Sequence, residues 1–160
     1  MVRVKPFHGI RPKAELAAEV SALPYDVMNR EEAKVMAEGN PVSFLHISRA
    51  EIDFPNNVGD YDDCVYEKAK ENLLDFIQKG ILFMEEKPVY YLYQETMGDA
   101  VQTGLVAAVA VEDYENGAVM KHELTRKEKE QDRIRHFDVC NCHTEPVFLT
   151  YRHTDEIDSI

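Results

Sequence analysis

The sequence predicts an α+β fold in which a mixed or antiparallel sheet is flanked by helices. Three observations carry this prediction: an alternating apolar segment at Val2–Phe7, apolar residues at helical spacing along Tyr61–Lys79, and an apolar run at Thr103–Val111 followed by the hairpin signal Asn116-Gly117. The coarse order along the chain is strand, two helices, strand, long helix, hairpin, helix and strand.

The first elements are short. Val2–Phe7 alternates as a strand does, and Lys13–Leu23 has apolar residues at helical spacing. Asn29 is placed to cap a second helix over Arg30–Glu38, which the sequence Gly39-Asn40-Pro41 ends.

The middle of the chain holds the clearest helix. Val42–Ile47 is predicted as a strand, and the apolar stripe of Tyr61–Lys79 predicts a long helix with Gly80 just past its end. The tyrosine-rich segment Val89–Gln94 is predicted as a strand.

The last third is predicted to complete the sheet. Thr103–Val111 suits a central strand buried on both faces, and Ala118–Met120 should return antiparallel to it after Asn116-Gly117. Pro146–Tyr151 is predicted as another strand. Since the chain ends soon after that strand, residues 1–160 are expected to form one α+β domain or the amino-terminal portion of a longer protein.

The composition narrows the class of protein. Of 160 residues, 44% are hydrophobic and 30% charged, as in soluble globular proteins. Thirty acidic against eighteen basic side chains give a net charge of −12, which opposes binding to nucleic acids and anionic membranes. No segment resembles a signal peptide, and no apolar segment is long enough to span a bilayer. The three cysteines cannot all pair within one chain. These observations together predict a protein of the reducing cytoplasm.

The segment from Lys121 to His136 gathers the most reactive side chains. Thr125 and Glu128 have the spacing of a capping box, which predicts a helix from Arg126 to about Phe137. Its basic and imidazole side chains share one face, namely Arg126, Lys129, Arg133 and His136. Such a helix start suits an anion such as phosphate, and the alternative is a solvated surface helix with an ordinary cap.

Polar clusters beside predicted strand ends extend this candidate site. They are Arg11 in the segment His8–Arg11, Tyr25-Asp26, His46 with Arg49 and Glu51, and Lys121-His122-Glu123. In a composite site, Glu123 would be the base and His122 the proton carrier, while Lys121, Arg126 and Arg133 would hold phosphate. Each cluster alone has the alternative of being satisfied structure.

Other familiar chemistry is disfavoured. Cys140-Asn141-Cys142-His143 lacks a second cysteine pair, so no metal is expected and both thiols should be reduced. The chain also contains no serine-hydrolase motif, no Walker phosphate loop and no dinucleotide glycine fingerprint.

Ordered motifs along the whole chain resemble those of the bacterial and archaeal domain-of-unknown-function family 1015. They are Phe7-His8-Gly9-Ile10-Arg11-Pro12, Pro24-Tyr25-Asp26-Val27, Asn40–His46, Arg49–Asp53, Asp113–Gly117, Lys121–Thr125, Asp132-Arg133, Asn141 and Pro146–Leu149. Family members are longer, and their downstream half carries a Gly-His-His-Arg segment similar to the phosphate-binding box of ParB-like free-serine kinases.

The resemblance implies a nucleotide-dependent kinase of a small molecule, with free L-serine as the favoured substrate. ATP or ADP with Mg²⁺ would be the cofactor, and Asp132 or Glu123 would contact the ion. This chain contains no Gly-His-His-Arg, so it is expected to be inactive alone. The alternative is a noncatalytic module that binds an anion, another ligand or a partner subunit.

Overall fold

The computed structural model describes residues 2–122 and 124–158. The helices of this part are α1 (Ala17–Val20), α2 (Arg30–Ala37), α3 (Leu45–Ser48), α4 (Asp63–Gln78), α5 (Val111–Glu115), α6 (Lys127–Cys140) and α7 (Asp155–Asp158). The strands are β1 (Val4–Lys5), β2 (Ile10–Pro12), β3 (Leu82–Met84), β4 (Tyr91–Met97), β5 (Ala100–Val106) and β6 (Ala108–Val109). Short 3-10 helices cover Ala14–Leu16, Tyr25–Val27 and Ala50–Asp53.

The predicted α+β class is confirmed. The strands form three antiparallel pairs, β1 with β6, β2 with β3, and β4 with β5, and in the described residues these pairs do not join into one sheet. A single bridge between Phe7 and Val89 links the first strand region to the start of the β4–β5 hairpin. The helices, not a sheet, therefore organise the core.

Helix α4 is the centre of the larger core cluster. Its stripe Val65, Ala69, Leu73 and Phe76 is buried at four- and three-residue spacing, as the periodicity predicts. Packed with this stripe are Val20, Ile47, Ala50, Ile81, Leu82 and Cys140. A smaller cluster lies under α2 and contains Met28, Ala33, Ala37, Leu45 and Ile52.

Local signals explain the ends of the two best-predicted helices. Asn29 accepts a hydrogen bond from the Glu32 backbone N–H, and the Glu32 carboxylate accepts one from the Asn29 N–H, so α2 begins with a complete capping box. At the end of α4, Gly80 has φ +67°, Ile81 N–H donates to Phe76 O, and Gly80 N–H donates to Ile77 O. These bonds make a Schellman motif, which favours glycine at the left-handed position.

The prediction of a strand at Val42–Ile47 is wrong, because the segment turns into α3. Leu45 and Ile47 are both almost completely buried, and Ser43 Oγ accepts a hydrogen bond from the Leu45 N–H. A short apolar run has no periodicity that separates a buried strand from a buried helical turn. The predicted helix Lys13–Leu23 is likewise shorter, consisting of a 3-10 turn followed by α1.

The prediction of a buried central strand at Thr103–Val111 is also wrong. The hairpin turns at Gly98-Asp99, where Gly98 has φ +61°, and β5 pairs with β4 over seven residues. Two-residue loops that begin with glycine are a hairpin signal, and Gly98-Asp99 is one that was not predicted above. Asn116-Gly117 instead ends α5, with Gly117 at φ +80°.

The predicted return strand Ala118–Met120 and the predicted strand Pro146–Tyr151 are not formed in the structure. A strand needs a neighbouring strand to take its backbone hydrogen bonds, and local apolar sequence does not supply one. Pro146–Tyr151 follows an irregular path, and its apolar side chains Val147 and Phe148 are exposed.

Candidate functional site

The polar residues of α6 meet α4 and the turn after α3 at a small cleft, here called the Arg133 cleft. Its walls include Tyr25, Arg49, Glu51, Tyr61, Lys129 and Arg133. The enclosed volume is about 20 Å³, which is room for one water molecule. The full lining contains three cationic side chains, three carboxylates, three tyrosine rings and one imidazole around a small, partly open space, namely Arg49, Lys129, Arg133, Glu51, Asp60, Asp132, Tyr25, Tyr61, Tyr66 and His136.

Helix α6 reaches the cleft by burying a polar stripe. Asp132, His136 and Cys140 are spaced four residues apart and are all buried against the rest of the protein. Tyr66 Oη donates to Asp132 Oδ1 at 2.8 Å, and His136 Nε2 donates to Ile47 O at 3.0 Å. Burial lowers the pKa of His136, so this imidazole is held in its neutral form.

Arg133 is the central cation of the cleft. Its Nε and Nη2 donate to Asp132 Oδ2 at 3.1 and 2.9 Å, and its Cζ lies 4.0 Å from the centre of the Tyr25 ring. The remaining Nη1 is buried and has no hydrogen-bond partner among the described residues. A buried guanidinium N–H without a partner is costly unless another group binds it.

Two further cations border the same space. Lys129 Nζ lies 3.2 Å from Tyr61 Oη and about 6 Å from the centres of the Tyr25 and Tyr61 rings. Arg49 Nη1 donates to Tyr25 O at 3.3 Å, and Arg49 Nε lies 2.7 Å from Glu51 Oε1. Burial raises the pKa of Glu51, and the Arg49 charge opposes that rise.

Glu145 contacts the backbone of Tyr25 and was not among the residues predicted from the sequence. Burial raises the pKa of Glu145 to about 7, with Arg133 and the Tyr25 backbone N–H opposing the rise and Asp26 and Asp132 adding to it. A single glutamate before a proline carries no sequence signal that separates it from a surface residue.

The structure brings together part of the predicted site. Of the described residues nominated from the sequence, five line the cleft, namely Tyr25, Arg49, Glu51, Asp132 and Arg133, together with Lys129 and His136 from the same predicted helix face. Glu123, the candidate base, lies outside the described residues. Lys121 and His122 are exposed, and Lys121 Nζ lies 5.0 Å from the centre of the Tyr114 ring.

The predicted helix start is wrong in its cap. Helix α6 begins at Lys127 with Arg126 as the N-cap residue, and no side chain caps it. Thr125 and Arg126 are exposed, so the described residues show no anion site built on a Thr125 cap. The helix also runs past Phe137 to Cys140, which adds the buried Cys140 to its packed face.

Arg11 and His46 are engaged elsewhere. Arg11 Nε donates to Glu85 Oε1 at 2.6 Å, and the Arg11 guanidinium lies 4.4 Å from the Phe83 ring centre. His46 Nδ1 lies 2.7 Å from Asp53 Oδ1, and His46 Nε2 lies 3.1 Å from the carbonyl oxygen of Asn40. Because both partners of His46 are acceptors, the doubly protonated imidazolium is favoured.

The His46–Asp53 pair predicts a pH window of stability. The hydrogen bond with Asp53 raises the pKa of His46 above 6.5. Burial opposes ionisation of Asp53, but the hydrogen bonds that Asp53 accepts from His46 and Asn72 hold the pKa of Asp53 below 3.8. The pair therefore contributes its full stabilisation between pH 3.8 and pH 6.5, the ordinary pKa values of the two groups. Its contribution is lost as pH rises through the raised pKa or falls through the lowered one.

Urea unfolding should show a larger loss of stability for His46→Gln at about pH 5.5 than at about pH 9. The same substitution at exposed His122 is the control, and its effect should not depend on pH in this way. An equal loss for His46→Gln at both pH values would contradict the ion pair.

The cysteines are free thiols in the structure. Cys140 is buried, and burial raises its pKa to about 11, while the partly buried Cys142 also has a raised pKa. The described residues contain no group of three or more histidine, cysteine or carboxylate side chains placed to hold a metal ion. The absence of a bound metal remains a prediction.

A second depression lies on the other side of α4. Its volume is about 520 Å³, and its lining includes Asp53, Glu67, Lys68 and Glu71. Three carboxylates against one ammonium group give this surface a charge that repels phosphate.

Comparison with known proteins supports the resemblance noted from the motifs. The sequence model of a family described as "Protein of unknown function (DUF1015)" matches residues 4–160. No curated protein and no solved structure matches the chain. In the described part of the chain, no helix has the length and apolar character needed to cross a membrane.

Proposed function

Because the chain belongs to the DUF1015 family, whose function is unknown, we propose a function from the Arg133 cleft: it binds the anionic group of a small molecule. By the resemblance to free-serine kinases, this recognition serves a small-molecule phosphotransferase whose substrate is free L-serine. The family membership itself assigns no activity.

The observation that carries the proposal is the buried Nη1 of Arg133. Asp132 takes the Nε and Nη2 donors, so Nη1 is the guanidinium donor left for a ligand. Hydrogen bonds between a guanidinium and a carboxylate or phosphate oxygen are charge-assisted and stronger than neutral ones. An anionic oxygen at Nη1 would complete the hydrogen bonding of Arg133.

The surroundings of Arg133 favour one anionic group over several. Arg133 is paired with Asp132, and Arg49 is paired with Glu51. Lys129 instead contacts a tyrosine hydroxyl and two rings, so among the described residues of the cleft its charge is the one left for an anion. The space holds only one water, so a larger ligand requires the Tyr25 and Tyr61 rings to turn outward. Tyr61 is 43% exposed and has solvent to turn into.

The described residues do not fit a nucleotide. The Arg133 cleft is far smaller than the several hundred Å³ of ordinary cofactor sites, and the larger depression is lined by Asp53, Glu67 and Glu71. Asp132 also does not suit Mg²⁺, because Tyr66 and Arg133 already occupy its oxygens. The nucleotide, ATP or ADP, therefore belongs to the proposal for the whole protein, as does Glu123 as the base.

The poor fit of the described residues to a nucleotide favours the alternative of a noncatalytic module. In that case the Arg133 cleft would recognise a carboxylate or phosphate without transferring a phosphoryl group. The two functions share the anion site and differ in whether a phosphorylated product forms.

The anion site is tested by calorimetric titration with inorganic phosphate. Arg133→Met should weaken binding about 10- to 100-fold, the usual worth of a charge-assisted hydrogen bond. Arg135→Met is the matched control, because Arg135 carries the same charge on the same helix but contacts Asp63 and the Tyr66 ring instead. Undetectable binding by the unaltered chain, or equal weakening in both variants, would refute the proposal.

The catalytic part needs its own measurement. A longer member of the family that carries the Gly-His-His-Arg segment is incubated with L-serine, Mg²⁺ and ATP or ADP, and phosphoserine is sought by ³¹P NMR. Product that disappears when the arginine equivalent to Arg133 is replaced by methionine supports the phosphotransferase, and the present chain alone should give no product. Phosphate binding without product in the longer protein supports the noncatalytic module.

A further inference from the structure

Strand β5 is an edge strand without charged side chains. Every residue from Ala100 to Val111 is uncharged, in a chain of which 30% is charged. Within the described residues β5 pairs with β4 alone, so its other edge offers unpaired backbone groups. Proteins usually protect such edges with proline or with lysine and other charged residues, and β5 has none of them.

We propose that two copies of this chain associate through β5, which pairs antiparallel with β5 of the second copy about a two-fold axis at Thr103. The result is a four-stranded sheet in the order β4, β5, partner β5, partner β4. This inference is independent of the Arg133 cleft and of any ligand bound there.

The first argument is that the hairpin needs more neighbours than it has. A two-stranded hairpin is marginal by itself, and three or more strands or a covering helix are needed for stability. Tyr91 anchors the base of this hairpin against Gly9 and Phe7, but Leu92 and Met97 are about 80% exposed. A wider sheet supplies the missing strand neighbours.

The second argument is that β5 is complementary to itself. The observed register pairs Leu92 with Leu105 and Gln94 with Thr103. A two-fold axis at Thr103 places Val101 opposite Leu105 of the second copy, so apolar side chains extend the apolar row. Both side chains are about 60% exposed in the single chain.

The polar row of this face also continues across the axis. Gln94 Nε2 donates to Thr103 Oγ1 at 3.3 Å within each hairpin, and the two Thr103 hydroxyls would meet at the centre. The row then reads glutamine, threonine, threonine, glutamine. Threonine pairs on facing strands exchange hydrogen bonds.

The distribution of charge favours pairing through β5 over pairing through β4, and it favours a second copy of the chain as the partner. The net charge of −12 repels another copy over most of the surface, and the uncharged β5 edge avoids that repulsion. Pairing through β4 would place the Glu95 carboxylates of the two copies in neighbouring cross-strand rows of side chains, where they would repel each other. With the axis at Thr103, Asp99 faces uncharged Ala107 of the second copy. The closed two-fold arrangement uses up the β5 edge of both copies.

The test is sedimentation equilibrium of the full chain over a wide concentration range. The unaltered chain should approach twice its mass of 18.4 kDa. Thr103→Lys places two ammonium groups opposite each other at the axis and should weaken the dimer about tenfold or more. Thr96→Lys is the matched control, since Thr96 is also exposed and lies on the same face but on β4.

A cross-link fixes the register and guards against misfolding of the lysine variant. With exposed Cys64 replaced by serine, Thr103→Cys should form a covalent dimer on mild oxidation and Thr96→Cys should not. A monomer at all concentrations would refute the proposal and leave the β5 edge to a different protein or another segment. Species larger than dimers, or equal effects at both threonines, would also refute it.

Discussion

Replacing Asp132 with alanine should lower the free energy of unfolding by about 3 kcal/mol. The Asp132 side chain is about 7% exposed and accepts hydrogen bonds from Tyr66 Oη and from Arg133. Alanine leaves a buried hydroxyl and a largely buried guanidinium without that acceptor, and their desolvation is then uncompensated. Urea denaturation with a two-state fit measures the change.

The matched control is Asp138→Ala, which removes an exposed carboxylate from the same helix and should change stability by less than about 0.5 kcal/mol. Asp132→Asn separates charge from shape, because the amide oxygen still accepts from Tyr66 while the ion pair with Arg133 is lost. Its effect should lie between those of the other two variants. A loss below about 1 kcal/mol for Asp132→Ala would mean that water replaces the carboxylate.

Ile47→Ala should cost a similar amount, about 3 kcal/mol. Ile47 is completely buried in the larger core cluster, where it packs with the stripe of α4. Truncation loses the burial of the removed carbons and leaves a cavity that the surrounding side chains fill only in part. The midpoint of urea unfolding should fall while the slope of the transition is unchanged.

The same substitution at Ile134 provides the comparison. Ile134 is 46% exposed on α6, so its truncation should cost less than about 1 kcal/mol. Equal losses at the two positions would show that the packing around Ile47 is looser than the structure implies. His136 donates to the Ile47 backbone carbonyl, which both residues at position 47 retain, so the bond is not a source of difference.

The sequence identified the elements whose signals are local. The apolar stripe of α4 repeats from Val65 to Phe76 within a helix of sixteen residues, and the Asn29 capping box needs only residues three apart. The family resemblance is also confirmed, since its motifs are spread over the whole chain. These features could be predicted because each depends on neighbours in the sequence.

Features that depend on distant partners were not predictable. The segment Val42–Ile47, predicted as a strand, turns into a helix, and Thr103–Leu105 is exposed at a hairpin edge where burial was expected. Helix α6 has few apolar residues, and its Ile134 and Phe137 remain partly exposed. The stripe that it buries is polar, and polar residues are buried only where partners from α4 and α3 are already in place.

The residues of the candidate site were likewise only partly predictable from the sequence. Arg49 and Arg133 were nominated from separate clusters, and the packing of α6 on α4 brings them to one cleft. Their convergence is tertiary, so no spacing in the sequence encodes it. The exposed Lys121 and His122 were attractive by chemical type alone, and chemical type does not report on position.

The polar contacts that attach α6 also affect the local unfolding of this helix. Helix α6 is held by the bonds of Asp132 and His136 and contributes Cys140 to the larger core cluster, so we expect it to detach before the core around α4 unfolds. Amide hydrogens of α6 would then exchange with solvent through a partial opening, ahead of those in α4. An anion at Arg133 would slow that exchange, which links occupancy of the cleft to the local opening rate of one helix.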